Sequence, residues 1–559
     1  MAKKKKYKKN TNQQYSFLKQ IDFNKNLPYL LWGGIVGILI FLWWHIASFN
    51  FVHLIDDAYI SFRYADNFIH GKGLVYNMGE RVEGYSNFLW VIILSGFMKV
   101  GLEPILISKI SGIILSSATV MLTFRIARII SGYNFYALIP SLFLICSSGY
   151  VLWATGGLET HLFGFLITAG VLFYLKQDKL KNNIYSGCLF ALTSLTRPEG
   201  ILLALLTFGH KVLSGLTGRM KRYWRDIFLF MGGFLVIFLP YLAFKISYYG
   251  DIFPNTFYAK APSNLALYDA GKFYLFEFLK TNFNLFLLLF FLLVTFFNFK
   301  KLWFTYIITL IIPFCIYILW IGGDSFPCFR FLVPLLPLFA LLIGESFKEL
   351  KDVLETRLVF AYNKHIFSFL IVGILVYSLY HSITSTPTGS QAKSLVTEYT
   401  KIEKNRVLIS DWFVKRFPSS TSIALNPAGI IPYYTRFKAI DMLGLNDKHI
   451  AKSQTKVGSG AIGHLKFDSD YVISKKPDLI IIGASELLPG NIEREKVVKY
   501  YQFITGAIPG DRALLENRRL YEEYDLVAVK INEESFLPLF LSKKSPIKPG
   551  EKFGIVPVV

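Results

Sequence analysis

The chain has 559 residues, of which 53% are hydrophobic, 17% aromatic and only 18% charged, with a formal net charge of +22. A soluble domain carries about a quarter of its residues as charges. A single water-solvated core is therefore excluded, and lipid must cover much of the apolar surface.

The N-terminus, residues 1–27, holds six lysines within Lys3–Lys9. Without an aromatic-interleaved basic motif behind it, this tail reads as a cytoplasmic anchor beside anionic lipid, not as a nucleic-acid arm. The apolar run at 28–50 follows with no small-residue cleavage site, which predicts an uncleaved first span. Residues 87–102 are short and interrupted by Lys99. Counting them as a span would put Arg125 and Arg128 outside, so a surface-lying or re-entrant helix is predicted. Further spans are predicted at 104–124, 136–153, 161–175, 183–195, 200–209, 226–248, 282–299, 302–321, 331–347 and 365–381. With about 11 spans, every lysine-rich connection falls on one side and the C-terminus emerges on the other. Residues 28–383 thus form a polytopic α-helical membrane domain with outer loops. Residues 384–559 are of single-domain size, with β-rich runs at 422–425, 479–482 and 526–531 and a helical stretch at 492–503. A soluble α/β domain outside the membrane is expected. Cys146, Cys188, Cys315 and Cys328 form no C-x-x-C, the pattern of neither a disulfide framework nor a zinc site.

The outward loops are rich in ionisable residues. The first contains I-D-D-A-Y-I-S-F-R-Y-A-D-N-F, with Asp56, Asp57 and Arg63, followed by a G-K-G-L-V-Y-N run that ends in G-E-R-V-E-G-Y-S-N and contains Glu83. The second holds Glu159 and His161, and the third, L-T-R-P-E-G, holds Arg197 and Glu199. The fourth, Y-Y-G-D-I-F-P-N-T-F-Y-A-K, holds Asp251, Asn255, Tyr258 and Lys260, and the fifth, G-G-D-S-F-P-C-F-R-F, holds Asp324 and Arg330. An ionisable group at membrane depth costs about 2.5–3.5 kcal/mol on insertion scales, so each is a functional candidate. Carboxylates can take a proton from an acceptor hydroxyl. Cations can stabilise charge building on a departing phosphate. Plainer roles compete. Asp56 or Asp57 can cap the next helix, and Arg197 can simply pair with Glu199. Lys260 and Arg330 can anchor the interface, His161 can be a polar lip residue, and Asp324 can serve a turn.

These blocks, with N-P-A-G-I-I-P-Y-Y at 426–434, I-D-M-L-G-L-N-D at 440–447 and G-H-L-K at 463–466, resemble the terminal arabinofuranosyltransferase-like family of bacterial GT-C glycosyltransferases, relatives of which are described as flagellar motor control proteins. The resemblance runs from about residue 50 to 485. It implies a GT-C-like fold and an inverting transfer of a sugar, arabinofuranose-like or other, from a polyprenyl-phosphate donor. The acceptor would be a cell-envelope glycan or other target on the outer face of the bacterial inner membrane. It places the base at Asp56 or Asp57 and the remaining loop residues around the donor phosphate and sugar. No cofactor is required; a divalent cation near the acidic loops, with Asp56 and Asp57 as its candidate ligands, occurs in parts of the class. A transporter or flippase would instead favour mid-span charges and paired repeats. A non-enzymatic scaffold for a surface machine such as the flagellar motor is the third alternative.

Overall fold

The computed structural model describes residues 23–48, 54–132, 135–177, 179–219, 223–260, 265–282, 298–324, 326–357, 372–374, 376–377, 380, 390–453, 465–504, 508–547, 550 and 554–558. Among them, five helices are long and apolar enough to cross a membrane: Leu27–Ile46, Pro104–Ser131, Glu199–Leu216, Tyr223–Tyr249 and Leu302–Ile321. Thr160–Leu175 and Leu180–Thr196 pack between them. Leu180–Thr196 lies closest to Tyr223–Tyr249, backbone against backbone. A Cβ on Gly187 would meet the Phe230 carbonyl, and one on Gly233 the Ile184 carbonyl. Small residues at such a crossing let two helices approach within van der Waals distance, the main attraction available in lipid.

Several helices depart from the predicted limits. The second span runs past 124 to Ser131, taking in Arg125 and Arg128. The run at 136–153 is not one helix but a 3-10 turn, Phe135–Leu138, then Ile139–Cys146 and Ser148–Leu152. Pro140 sits at the start of the middle piece, and Ser147 is extended between the two α-helices. The expected 200–209 span is the longer Glu199–Leu216. Its polar end, His210 and Lys211, is buried because Tyr174 Oη lies 2.5 Å from His210 Nδ1, and Lys211 donates to Asn183 Oδ1 at 2.7 Å. The 331–347 span is a 3-10 turn followed by Leu336–Arg357. Most of the predicted spans at 282–299 and 365–381 lies outside the described residues. Residues 87–102 form the helix Phe88–Lys99. At 1.5 Å per residue it measures about 18 Å, too short for a bilayer core of about 30 Å.

Beyond the helix Ser390–Val414, a seven-stranded mixed sheet carries the C-terminal part. Its strands are β1 (Ser422–Leu425), β2 (Lys438–Asp441), β3 (Leu479–Ile481), β4 (Leu488–Pro489), β5 (Tyr524–Asn532), β6 (Ser535–Ser542) and β7 (Ile555–Pro557). The order is β2-β1-β3-β6-β5-β7, with β4 beside β6. β1 runs parallel to both β2 and β3, with Ala424 opposite Ile440 and Ile480; the remaining pairs are antiparallel. The chain leaves β1 toward one neighbour and returns on the other, so the β1/β3 boundary is where the connections change direction. The carboxyl ends of strands at such a boundary form a crevice suited to ligands.

Candidate active site

The helix Asp56–Ile69 opens with both acidic residues in its first turn. Adjacent positions on a helix point about 100° apart, and the two carboxylates meet different surroundings. Asp56 is gripped by the α/β domain. Its Oδ2 accepts from Gly429 N at 2.8 Å, its Oδ1 from Ile430 N at 3.1 Å, and Arg406 Nη1 pairs with Oδ1 at 2.8 Å. Asp57 is half-buried and makes no hydrogen bond or ion pair among the described residues. It lies within electrostatic reach of Arg330, Lys260 and Asp324. Burial is the main cause that raises its carboxyl above the ordinary aspartate range. Asp56 and Asp324 add to the rise and the two cations oppose it.

Lys260 ends the short helix Asn255–Lys260. It is exposed to solvent, has no hydrogen-bond or ion-pair partner among the described residues, and lies near Arg330, Asp324, Asp57 and Arg197. A cation and a carboxylate from distant parts of the chain therefore lie within electrostatic reach of one another, Lys260 exposed and Asp57 half-buried, and define a candidate cleft. Arg330 and Arg197 border it but are engaged. Arg330 makes a bidentate pair with Asp324, Nε to Oδ2 at 2.7 Å and Nη2 to Oδ1 at 3.0 Å, beneath the Phe326 ring. The preceding Cys328 and Phe329 both hold positive φ, 58° and 55°. Two consecutive left-handed non-glycine residues cost about 1–3 kcal/mol each and concentrate at functional sites. Arg197 Nη1 pairs with Glu159 Oε1 at 2.8 Å and Nη2 with Glu199 Oε1 at 3.3 Å. Glu159 also accepts from Asn87 at 2.9 Å, and Glu199 from Tyr317 at 3.3 Å.

The other sequence candidates lie away from this cleft or in its supports. His161 is buried, with Nε2 at 2.9 Å from the Tyr150 carbonyl. Glu83 pairs with Lys245 at 2.8 Å in a buried setting. Asp251 accepts from Tyr258 Oη at 2.8 Å and pairs with Lys452 at 2.7 Å. Asn255 donates to the Gly444 and Leu445 carbonyls at 2.8 and 3.0 Å. Arg63, also buried, donates to the Tyr76, Pro432 and Phe437 carbonyls. These residues tie the loops to one another and to the α/β domain.

Asp56 and Asp57 do not fit a divalent cation. Asp56 is saturated by Arg406 and two amides, and Asp57 faces cations. No three His, Cys, Asp or Glu side chains converge in a metal-holding group among the described residues. Arg406 and Glu403 are the partners that the sequence did not single out. Glu403 accepts from Tyr59 Oη at 2.6 Å and Leu54 N at 3.2 Å. The run K-I-E-K-N-R reads as an ordinary solvated helix face, so no local signal marks either.

Comparison with solved structures assigns the fold. The chain resembles ArnT from Cupriavidus metallidurans bound to undecaprenyl phosphate, at 14% identity and TM-score 0.50, over 73% of this chain and 85% of that one. It resembles the Archaeoglobus fulgidus oligosaccharyltransferase, in complex with Zn and sulfate, at 11% identity and TM-score 0.53, over 90% and 72% respectively. The chain thus has the fold of the GT-C membrane glycosyltransferases. Among curated sequences it is 26% identical over 254 residues to a terminal beta-(1->2)-arabinofuranosyltransferase of Mycobacterium tuberculosis. That match covers 41% of this chain and spans 38% of the relative's length. A family profile described as "Domain of unknown function (DUF8728)" matches residues 397–529, within the α/β part.

Proposed function

We propose that the chain is an inverting glycosyltransferase that moves a sugar from a polyprenyl-phosphate donor to a cell-envelope glycan or related acceptor. The observation that carries this reading is the unpartnered pair in one cleft, Asp57 and Lys260. Asp57 takes the proton of the acceptor hydroxyl while the acceptor oxygen bonds to the anomeric carbon. The bond from that carbon to the phosphate oxygen breaks on the opposite face, leaving the lipid phosphate with its extra negative charge. Lys260, whose ammonium is not spent on a carboxylate, meets that charge, with Arg330 behind it. Arg197, Glu159 and Glu199 hold the cleft wall. The similar structures of ArnT with undecaprenyl phosphate and of the Archaeoglobus fulgidus oligosaccharyltransferase with a dolichol-phosphate support a lipid-phosphate donor. The tail lies in the cytoplasm and the α/β domain outside, following the charge asymmetry of about 11 spans.

The test is mass spectrometry of envelope glycans from cells with the chain, without it, and complemented with Asp57→Asn. Loss of a defined sugar in the null that wild type restores and Asp57→Asn does not is the expected result. Full restoration by Asp57→Asn rejects the assigned base. A sugar profile identical with and without the chain rejects the transferase.

A further inference from the structure

The α/β domain has a ligand crevice in the usual place, outside the carboxyl ends of β1 and β3, and part of the membrane domain occupies it. Gly429 and Ile430 follow β1, and Ala484 follows β3. Arg406 joins the two sides: its Nη2 donates to the Ala484 carbonyl at 2.7 Å while its Nη1 pairs with Asp56 at 2.8 Å. The Asp56 carboxylate, with an arginine and two backbone amides on it, sits as an anionic ligand would sit at a strand-order reversal. The fit leaves no slack. A Cβ on Gly429 would collide with the Asp56 carbonyl oxygen and lie 2.5 Å from its Oδ2. The next residue toward the cleft is Asp57.

We infer that Asp56 is a positioning residue: the α/β domain grips its carboxylate through Arg406, Gly429 and Ile430 and thereby fixes Asp57 in the cleft. This rests on the glycosyltransferase reading for the role of Asp57, but the grip itself does not. The α/β domain then becomes a working part of the site. A separated α/β domain would leave the first turn of Asp56–Ile69 free to fray, because Ile55, which precedes it, supplies no side-chain cap.

The test uses the full chain in lipid nanodiscs and two independent readouts. The first is hydrogen exchange of peptides covering residues 54–62 and 426–436. Asp56→Asn, Arg406→Gln and Gly429→Ala should each speed exchange there by at least about tenfold, the scale of losing a charge-assisted hydrogen bond. Exchange across Tyr223–Tyr249 should stay unchanged, which shows that the protein remains folded. The Asp56→Asn/Arg406→Gln double variant should add little to either single one, and Arg406→Lys should restore part of the protection. Asp57→Asn should leave exchange unaltered. The second readout is restoration of the missing sugar in cells, which Gly429→Ala should impair although it leaves both carboxylates in the chain. Unchanged exchange in all three variants, or fully additive effects in the double one, overturns the grip. Altered exchange with full sugar transfer overturns the positioning role while leaving the transferase intact. Failure of the transferase itself appears instead as no sugar difference between wild type and null.

Discussion

Arg63 offers the clearest measure of how firmly the two parts of the chain are joined. Its guanidinium is 4% exposed and spends its donors on four acceptors: Tyr76 O at 2.8 Å, Asn77 Oδ1 at 3.1 Å, Phe437 O at 2.8 Å and Pro432 O at 2.5 Å. The last two belong to the α/β domain. Hydrogen bonds to a charged group contribute about 1.5–3 kcal/mol each, so Arg63→Met removes roughly 3–6 kcal/mol of docking and strands two carbonyls. At about 1.4 kcal/mol per decade, hydrogen exchange of the β2 amides should accelerate by at least about 100-fold. The control lies across the same junction. Lys438 pairs with Glu80 at 2.8 Å, but the two side chains are 59% and 40% exposed. Such a pair contributes at most about 1 kcal/mol, so Lys438→Met should change the same amides by less than about tenfold. Equal effects from the two substitutions would refute the claim that Arg63 is a buried fastener.

Four further outcomes follow from the site and the α/β core. Asp57→Asn should lower turnover by about 10²–10⁴-fold in proteoliposomes. In the wild type, turnover should rise with pH through the Asp57 titration, with the acid limb above the ordinary aspartate range because burial raises that carboxyl; an acid limb at or below that range counts against Asp57 as the base. Lys260→Met should weaken donor use more than Lys260→Arg, read as kcat/KM, because only the second keeps a cation for the phosphate; equal losses would exclude a charge role. Asp511 accepts from Asn426 and Gly483 and is held up to about 6, chiefly by burial, against 3.8 for a free side chain. The folded protein keeps a proton that the unfolded chain releases, so this contribution is complete below about pH 4 and lost as pH climbs through about 6. The thermal stability advantage of wild type over Asp511→Asn should shrink across that window by up to about 3 kcal/mol.

Where local pattern decides structure, the sequence was legible. The β1 segment at 422–425 coincides with its predicted run, and β3 and β5 lie on theirs, because short β-rich runs between turns have few alternatives. β6 is absent from the predicted strands. Its run S-F-L-P-L-F-L-S carries Pro538, which argues against a central strand, yet β6 pairs with β3, β4 and β5. The helix Leu265–Asn282 was also not anticipated, because its charges interrupt the apolar window. Lys211 misleads in the same way, since a buried lysine satisfied by Asn183 and Gln177 looks in sequence like the edge of a loop. The loops that bear the candidate site stand out in the sequence because charge at a membrane face is costly. Division of labour inside them was not, because it depends on which side chains reach across several hundred residues.

The first of these blocks, around Asp56–Asn77, shows what that division amounts to. Asp56 and Arg63 meet Arg406, Gly429, Pro432 and Phe437; Asn77 exchanges hydrogen bonds with both the N–H and the carbonyl of Ala439; and Tyr76 donates to Ala428 at 2.6 Å. Apart from Arg406, these partners fall in or beside the two later blocks, 426–434 and 440–447. Motifs far apart in sequence are thus largely two halves of one junction. Of the paired acids in the first block, one faces the cleft and the other faces the junction. Both oxygens of the Asp56 carboxylate are already engaged, by an arginine and two backbone amides. On the proposed reading its neighbour Asp57, raised by burial and without a hydrogen-bond or ion-pair partner among the described residues, is the base, and the inferred grip on Asp56 is what holds it in place.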